Sequence, residues 1–263
     1  MKDRSFFRKI LFMVLTICAL ALLGGCKQKS KEIDFIKGAD ISSLEAIEDY
    51  GGVFYDFDGK QKDAIEILKE NGVNYLRLRI WNDPILSFDK GDYCNLEHTI
   101  TMAKRIKKAK LSFLLDFHYS DWWADPSNQR VPAAWEGMSV DEMAQAIYDY
   151  TVEVLTVLKE ENAYPEMVQI GNEIGNGMLW EYGRLNNIEN LAKFLNSGIK
   201  AVRDTEPEDQ ATLIMLHVQD GGSVDKTEYF FTSVEAHGVK DYDIIGLSYY
   251  PYWHGTFADL KNN

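Results

Sequence analysis

The sequence predicts an α/β fold of the TIM (β/α)8-barrel type, incomplete here with about six βα units. Three observations point there. Short apolar runs alternate with amphipathic stretches at a pitch of roughly 35 to 40 residues, close to that of an eight-unit barrel of about 250 residues. Polar and aromatic side chains gather after each apolar run, as the active rim of a barrel requires. No Gly-rich phosphate loop follows the first run, which counts against an open, doubly wound nucleotide-binding sheet. No linker or low-complexity insert divides residues 35–263, so they are read as one domain.

Taken in order, the first strand is read at Phe35–Asp40. A helix over about Lys60–Glu70 follows, burying Ala64, Ile65 and Leu68 and stopping at Gly72. The second strand, Tyr75–Trp81, carries Arg77 and Arg79 at alternate positions. A helix over about Leu96–Lys108 keeps its basic residues outside, and Ser112–His118 is the third strand. Ser139 and Glu142 form the capping box of a helix to about Lys159, with Ala146, Ile147, Tyr150, Val154 and Val157 as its buried stripe. Met167, Val168 and Ile170 make a fourth strand, an apolar run of the kind buried on both faces of a parallel sheet. A helix over about Ile188–Arg203, a strand at Thr212–Val218, a helix over about Lys226–Ala236 and a strand at Asp243–Tyr250 complete six units. Thr256–Asn263 reads as the first turns of another helix.

Residues 1–25 read as a processing signal outside the fold. Lys2, Arg4, Arg8 and Lys9 precede an apolar run, Ile10–Leu23, too short for an ordinary membrane span. The run ends in Leu23-Gly24-Gly25-Cys26, which resembles a bacterial lipoprotein box. That implies cleavage before Cys26, a lipid on its thiol and an exported, membrane-anchored protein. An uncleaved anchor with an incidental cysteine is the alternative, and it exports the body equally. Residues 26–34 form a polar tether. Only Cys94 then remains in the domain, so no internal disulfide can form. A formal net charge of −13 without a basic patch argues against nucleic acid as a partner. Aromatics at 13%, with 14 Tyr and 6 Trp, suit either stacking on sugar CH groups or an aromatic core.

The chemistry collects at the strand ends: Asp40; Arg77 and Arg79; His118, Asp121 and Trp123; Asn172 and Glu173; His217; Tyr250 and Trp253. Each has an ordinary explanation alone. Asp40 could cap, Arg77 could pair structurally, His118 could be a satisfied core histidine, Tyr250 could pack, and Glu173 could cap a helix. A barrel, however, brings all these ends to one rim. A carboxyl group ending a buried strand loses part of its water shell, which favours its protonated form. Glu173 could then hold a proton for a leaving oxygen, as a glycosidase acid must. No His-Glu-x-x-His or compact ligand triad occurs, so neither a catalytic metal nor another cofactor is expected. The absence of Gly-x-Ser-x-Gly argues against a serine nucleophile.

Six motifs in order carry a family resemblance. They are Gly38-Ala39-Asp40-Ile41-Ser42-Ser43-Leu44, Arg77-Leu78-Arg79-Ile80-Trp81-Asn82-Asp83-Pro84, Asp116 through Pro126, Gln169 through Ile174, His217 through Gly221, and Ser248-Tyr249-Tyr250-Pro251. With them the chain resembles the arabinogalactan endo-β-1,4-galactanases of glycoside hydrolase family 53, in the clan of retaining (β/α)8 glycosidases. The resemblance implies Glu173 as proton donor, with Asn172 hydrogen-bonding the sugar 2-hydroxyl. Arg77 and Tyr250 would support the nucleophile's carboxylate, and His118, His217 and Asp40 would line the catalytic subsite. Asp121, Trp123 and Trp253 would shape the groove for galactan. The clan's nucleophile ends strand seven, so the 263 residues are expected to be an incomplete version of the enzyme. Two other readings stay open: a non-catalytic surface galactan-binding protein, and a related clan glycosidase acting on another β-glycan.

Overall fold

The computed structural model describes residues 35–84 and 91–263. Residues 1–34, with the expected leader and Cys26, lie outside the described residues. The body alternates β1 (Gly38–Asp40), α1 (Leu44–Asp49), α2 (Ala64–Glu70), β2 (Tyr75–Ile80), α3 (Leu96–Lys108), β3 (Ser112–Phe117), α4 (Val140–Glu160) and β4 (Met167–Ile170). It continues with α5 (Ile188–Thr205), β5 (Leu213–Val218), α6 (Val224–Ala236), β6 (Ile244–Leu247) and α7 (Phe257–Asn262), and a two-residue ribbon, Gly177–Met178 against Gly183–Arg184, interrupts the link from β4 to α5. The six strands β1 to β6 pair side by side in chain order, all parallel, as an arc of a (β/α)8 barrel. Among the described residues no helix is long and apolar enough to cross a membrane.

Register explains how this arc makes a site. Asp40 pairs with Arg77, Arg79 with Asp116, Asp116 with Gln169, and His217 with Gly246. Side chains alternate faces along a strand, so these polar positions share one face. The intervening residues, Leu76, Leu78 and Ile80 in β2, Phe113, Leu115 and Phe117 in β3, and Ile214, Leu216 and Val218 in β5, are all buried on the other face. There they pack with helix residues such as Ile106, Ile147, Val154, Leu195 and Val202 in a continuous core. Each such Leu, Ile or Phe contributes about 1.5–3 kcal/mol on burial.

Several boundaries follow from local chemistry. The Ser139 capping box forms as the sequence predicts, with the Glu142 carboxylate accepting from Ser139 N and the Ser139 hydroxyl accepting from Glu142 N. The helix expected from Lys60 starts instead at Ala64, because the Asp63 side chain caps it by accepting from Ile65 N and Glu66 N. The first strand is shorter than expected and α1 is additional; Ser42, between them, turns its own N–H and hydroxyl onto Asp40. The last strand ends at Leu247 rather than Tyr250, since the chain turns there, with Trp253 N and His254 N both donating to Tyr250 O. In α5, Gly198 lets the helix approach the sheet closely. A Cβ there would lie 2.8 Å from Ile170 Cγ2 and 2.9 Å from Tyr119 Oη.

Candidate active site

The carboxyl ends of β1 to β5 deliver one connected polar network. Arg77 is its hub. From β2 it donates to Asp40 Oδ2 at 3.3 Å, to Asp116 Oδ2 and to Asn172 Oδ1 at 2.9 Å. Asp116 is fully buried; it also takes His118 Nε2 at 3.0 Å and Gln169 Nε2 at 2.6 Å. Burial alone would raise the Asp116 pKa, but the Arg77 charge and the His118 contact hold it below the usual carboxylate range. His118 Nδ1 accepts from Ala124 N at 3.0 Å, which places the ring proton on Nε2, facing Asp116. His118 is thus a satisfied, buried histidine held by its own loop.

Asn172 and Glu173 leave β4 in a tight turn. The backbone at Gly171 has φ +80°, and Glu173 itself is left-handed, with φ 51° and ψ 47°. Three side chains from elsewhere hold this turn: Gln129 Nε2 donates to Asn172 O at 2.8 Å, Gln219 Oε1 accepts from Gly175 N at 2.9 Å, and His217 Nδ1 accepts from Glu173 N at 3.3 Å. Asn172 is oriented by donating to Ala124 O at 2.7 Å, which turns its carbonyl toward Arg77. His217 sits with Nδ1 3.0 Å from Asn172 Oδ1 and Nε2 2.9 Å from Ser248 Oγ. Burial, together with the Arg77 charge, pushes the His217 pKa down to about 4, so its ring is neutral at pH 7. The Glu173 side chain is half-buried on the Arg77 end of the sheet, near enough for its charge to reinforce that guanidinium. Its carboxylate has no hydrogen-bond partner among the described residues.

The other sequence-derived site residues stand around this network. Trp123 lies over the Arg79 guanidinium, whose carbon is 4.1 Å from the ring centre. The Asp121 carboxylate ties its own loop to the segment after β2, accepting from Ala133 N at 2.8 Å and Asp83 N at 2.9 Å. Tyr250 and Trp253 are 58% and 75% exposed after β6, and their side chains do not hydrogen-bond to the network. Gln169, Gln129 and Gln219 are structural members that the motif reading left without roles. Gln169 had a visible signal, a lone amide at the inward position of an apolar strand. Among the described residues no three of His, Cys, Asp and Glu are grouped to hold a metal. Burial pushes the Cys94 thiol up to about 11, which keeps it un-ionised at pH 7.

A parallel arc with paired Asn-Glu, Arg and His at its carboxyl rim is of the (β/α)8-barrel class. Within that class the chain belongs to glycosyl hydrolase family 53, whose sequence signature matches residues 36–263. It is 40% identical over 234 residues to arabinogalactan endo-β-1,4-galactanase A of Aspergillus niger, covering 86% of this chain and 65% of that protein. It is 47% identical over 241 residues to an uncharacterized protein of Niallia circulans, covering 89% of this chain and 63% of that one. In structure it is similar to the family 53 catalytic domain of Ignisphaera aggregans, with a TM-score of 0.81, 42% identity, and 89% and 64% of the two chains covered. The chain therefore spans somewhat under two-thirds of these proteins.

Proposed function

We propose that the whole protein is an endo-acting retaining glycosidase cleaving β-1,4-galactan, the side-chain polymer of pectin, with Glu173 as its proton donor. The observation that carries this reading is Glu173 itself. It adjoins Asn172 on the Arg77 end of the sheet, and its carboxylate is the acid of that cluster that no neighbour has taken. A carboxyl group left free on this rim is placed to exchange a proton with a glycosidic oxygen and with water. Asn172, already fixed by Ala124 and Arg77, keeps a second amide hydrogen for the sugar 2-hydroxyl. His217 and Asp40 wall the subsite, His118 acts from behind it by holding Asp116, Asp121 holds the loop that carries Trp123, and Trp253 offers an exposed ring after β6.

Retention also needs a second carboxylate about 5–5.5 Å from the first. Asp116 and Asp40 are already held by Arg77. We assign the second group to the part of family 53 that these residues do not span, with Tyr250 supporting it beside Arg77. Support for galactan as substrate comes from the galactanase relatives. The test is reducing-sugar release from galactan by a protein extended to the length of those relatives. Release that disappears in Glu173→Gln is expected. Turnover that survives the substitution rejects Glu173 as the acid, and faster cleavage of mannan or glucan rejects galactan as substrate.

We also propose that residues 1–25 are removed, that residues 26–34 tether the domain, and that Cys26 anchors the exported protein to a membrane through lipid. The basis is the positive leader, the short apolar run and the Leu-Gly-Gly-Cys ending. Labelling with a fatty-acid analogue should mark the protein and should be lost in Cys26→Ser. Equal labelling of both rejects the anchor.

A further inference from the structure

We propose that Arg79 is a positioning residue for glycan binding, holding the Trp123 indole as the floor of a sugar-stacking platform; this rests on the glycosidase reading above. Arg79 follows Arg77 by two on β2, on the same face of the strand, but has a different set of contacts. Its side chain is only 12% exposed, and its ion pair with Asp40 is long. Asp40 Oδ1 lies 3.5 Å away, at the limit of a hydrogen bond, and that oxygen already takes Ser42 N and Ser42 Oγ at 2.9 and 2.7 Å. The Ser43 hydroxyl accepts from Nη2 at 3.2 Å, and Nε is buried without a partner. A guanidinium taken this far from water needs compensation. The Cys94 thiol is also in reach and the Trp81 ring lies 5.7 Å from its carbon, but the closest aromatic compensation is the ring of Trp123 at 4.1 Å: a planar, weakly hydrated cation against an aromatic face.

The arrangement also fixes the ring. Trp81, itself buried, meets Trp123 edge-on at 5.8 Å and 67°, and His118 meets it at 5.8 Å and 63°. Asn128 Nδ2 ties down Trp123 O at 2.8 Å. Arg79 supplies the contact to the face of the ring. What remains, 41% of Trp123, is open to solvent at the rim beside the network. A large apolar plane held rigidly and left open suits the CH face of a hexopyranose. Rigid presentation lowers the ordering cost that binding would otherwise incur. No step of the acid–base chemistry uses Arg79, and this platform gives a guanidinium inside an apolar strand something to do.

The test is a double-substitution cycle on the full chain with β-1,4-galactotetraose, read by calorimetry. Arg79→Met should weaken binding about fivefold, the size of a partly desolvated cation–π contact. Arg79→Lys, which keeps charge but loses the planar stack, should fall between. In a Trp123→Ala background Arg79→Met should have no further effect. Equal losses in both backgrounds, or unchanged binding in Arg79→Met, overturn the proposal. The near-ultraviolet circular dichroism of the indoles reads the same coupling without glycan. Arg79→Met should alter it, and most of the alteration should vanish in a Trp123→Phe background, the remainder coming from Trp81 at 5.7 Å; an unaltered spectrum, or an equal alteration in both backgrounds, overturns the proposal. Should Arg79→Met fail to fold, Arg79→Lys decides by the same spectrum. A wild-type chain that ignores galactotetraose counts against galactan as ligand, while the spectral cycle still decides the role of Arg79.

Discussion

Asp116→Asn is the substitution that tests the network most directly. Asparagine keeps the shape of the side chain but replaces one carboxylate oxygen with an NH2 group. Both oxygens of Asp116 are in use, one by Arg77 and His118, the other by Gln169. Whichever way the amide turns, a donor then faces a donor, and the Arg77 charge loses its fully buried partner. Removing one member of a buried pair costs about 3–5 kcal/mol. Arg77 keeps Asp40, and its side chain is 28% exposed, so the lower end applies, about 3 kcal/mol. Against a total stability of about 5–15 kcal/mol that is a large fraction. Urea unfolding at pH 7 measures it as a drop in midpoint with little change in slope. The sign of the pH dependence follows from the lowered folded-state pKa of Asp116. Its contribution is complete above the unfolded value of about 4 and is lost as pH falls through the folded value. The gap between wild type and Asp116→Asn should thus be flat from pH 7 to about pH 5 and narrow below about pH 4. A loss below about 1 kcal/mol at pH 7, or a gap that widens in acid, would refute a charged, paired Asp116.

His217 should titrate once near pH 4 by NMR, and stay neutral through the range where an ordinary histidine takes its proton. The unfolded chain binds that proton near pH 6.5, so the His217 contribution is complete above that pH and declines as pH falls toward 4; a folded-state transition near 6.5 contradicts the burial argument. Gly198→Ala should lower stability by up to about 2 kcal/mol in thermal or urea unfolding, because overpacking against Ile170 and Tyr119, about 1–3 kcal/mol, outweighs a helix-propensity gain of about 1 kcal/mol. A stabilised variant would mean that α5 does not pack that closely.

What the sequence made legible is what local chemistry decides. The alternation of Arg77 and Arg79 with Leu76, Leu78 and Ile80 gives the inward and outward faces of β2 directly, and the Ser139–Glu142 spacing gives the start of α4. Residues that act across the chain were not legible. Gln129 and Gln219 bond to backbone 43 and 44 residues away, and no local spacing announces such a contact. Aromatic richness was likewise ambiguous: Trp81 and Trp135 are core, while Trp123 and Trp253 are open to solvent. The same residue type serves both, and only the register of the strand or loop that carries it tells them apart.

The turn at Glu173 shows why the site takes this form. A left-handed backbone costs a non-glycine residue about 1–2 kcal/mol, and glycine would remove that cost. The sequence places glycines on either side, at Gly171 and Gly175, and a glutamate at the strained position. The cost is offset by bonds that Gln129, Gln219 and His217 make to the backbone around the turn, which leave the carboxylate itself unbound. Asp116, Asp40, Asn172, His118 and Gln169 meanwhile satisfy one another around Arg77. Among the described residues, this network and turn are held without the Glu173 carboxylate. A carboxylate without a side-chain bond among the described residues, on a turn held by other groups, is the arrangement that the proposed proton donor would need.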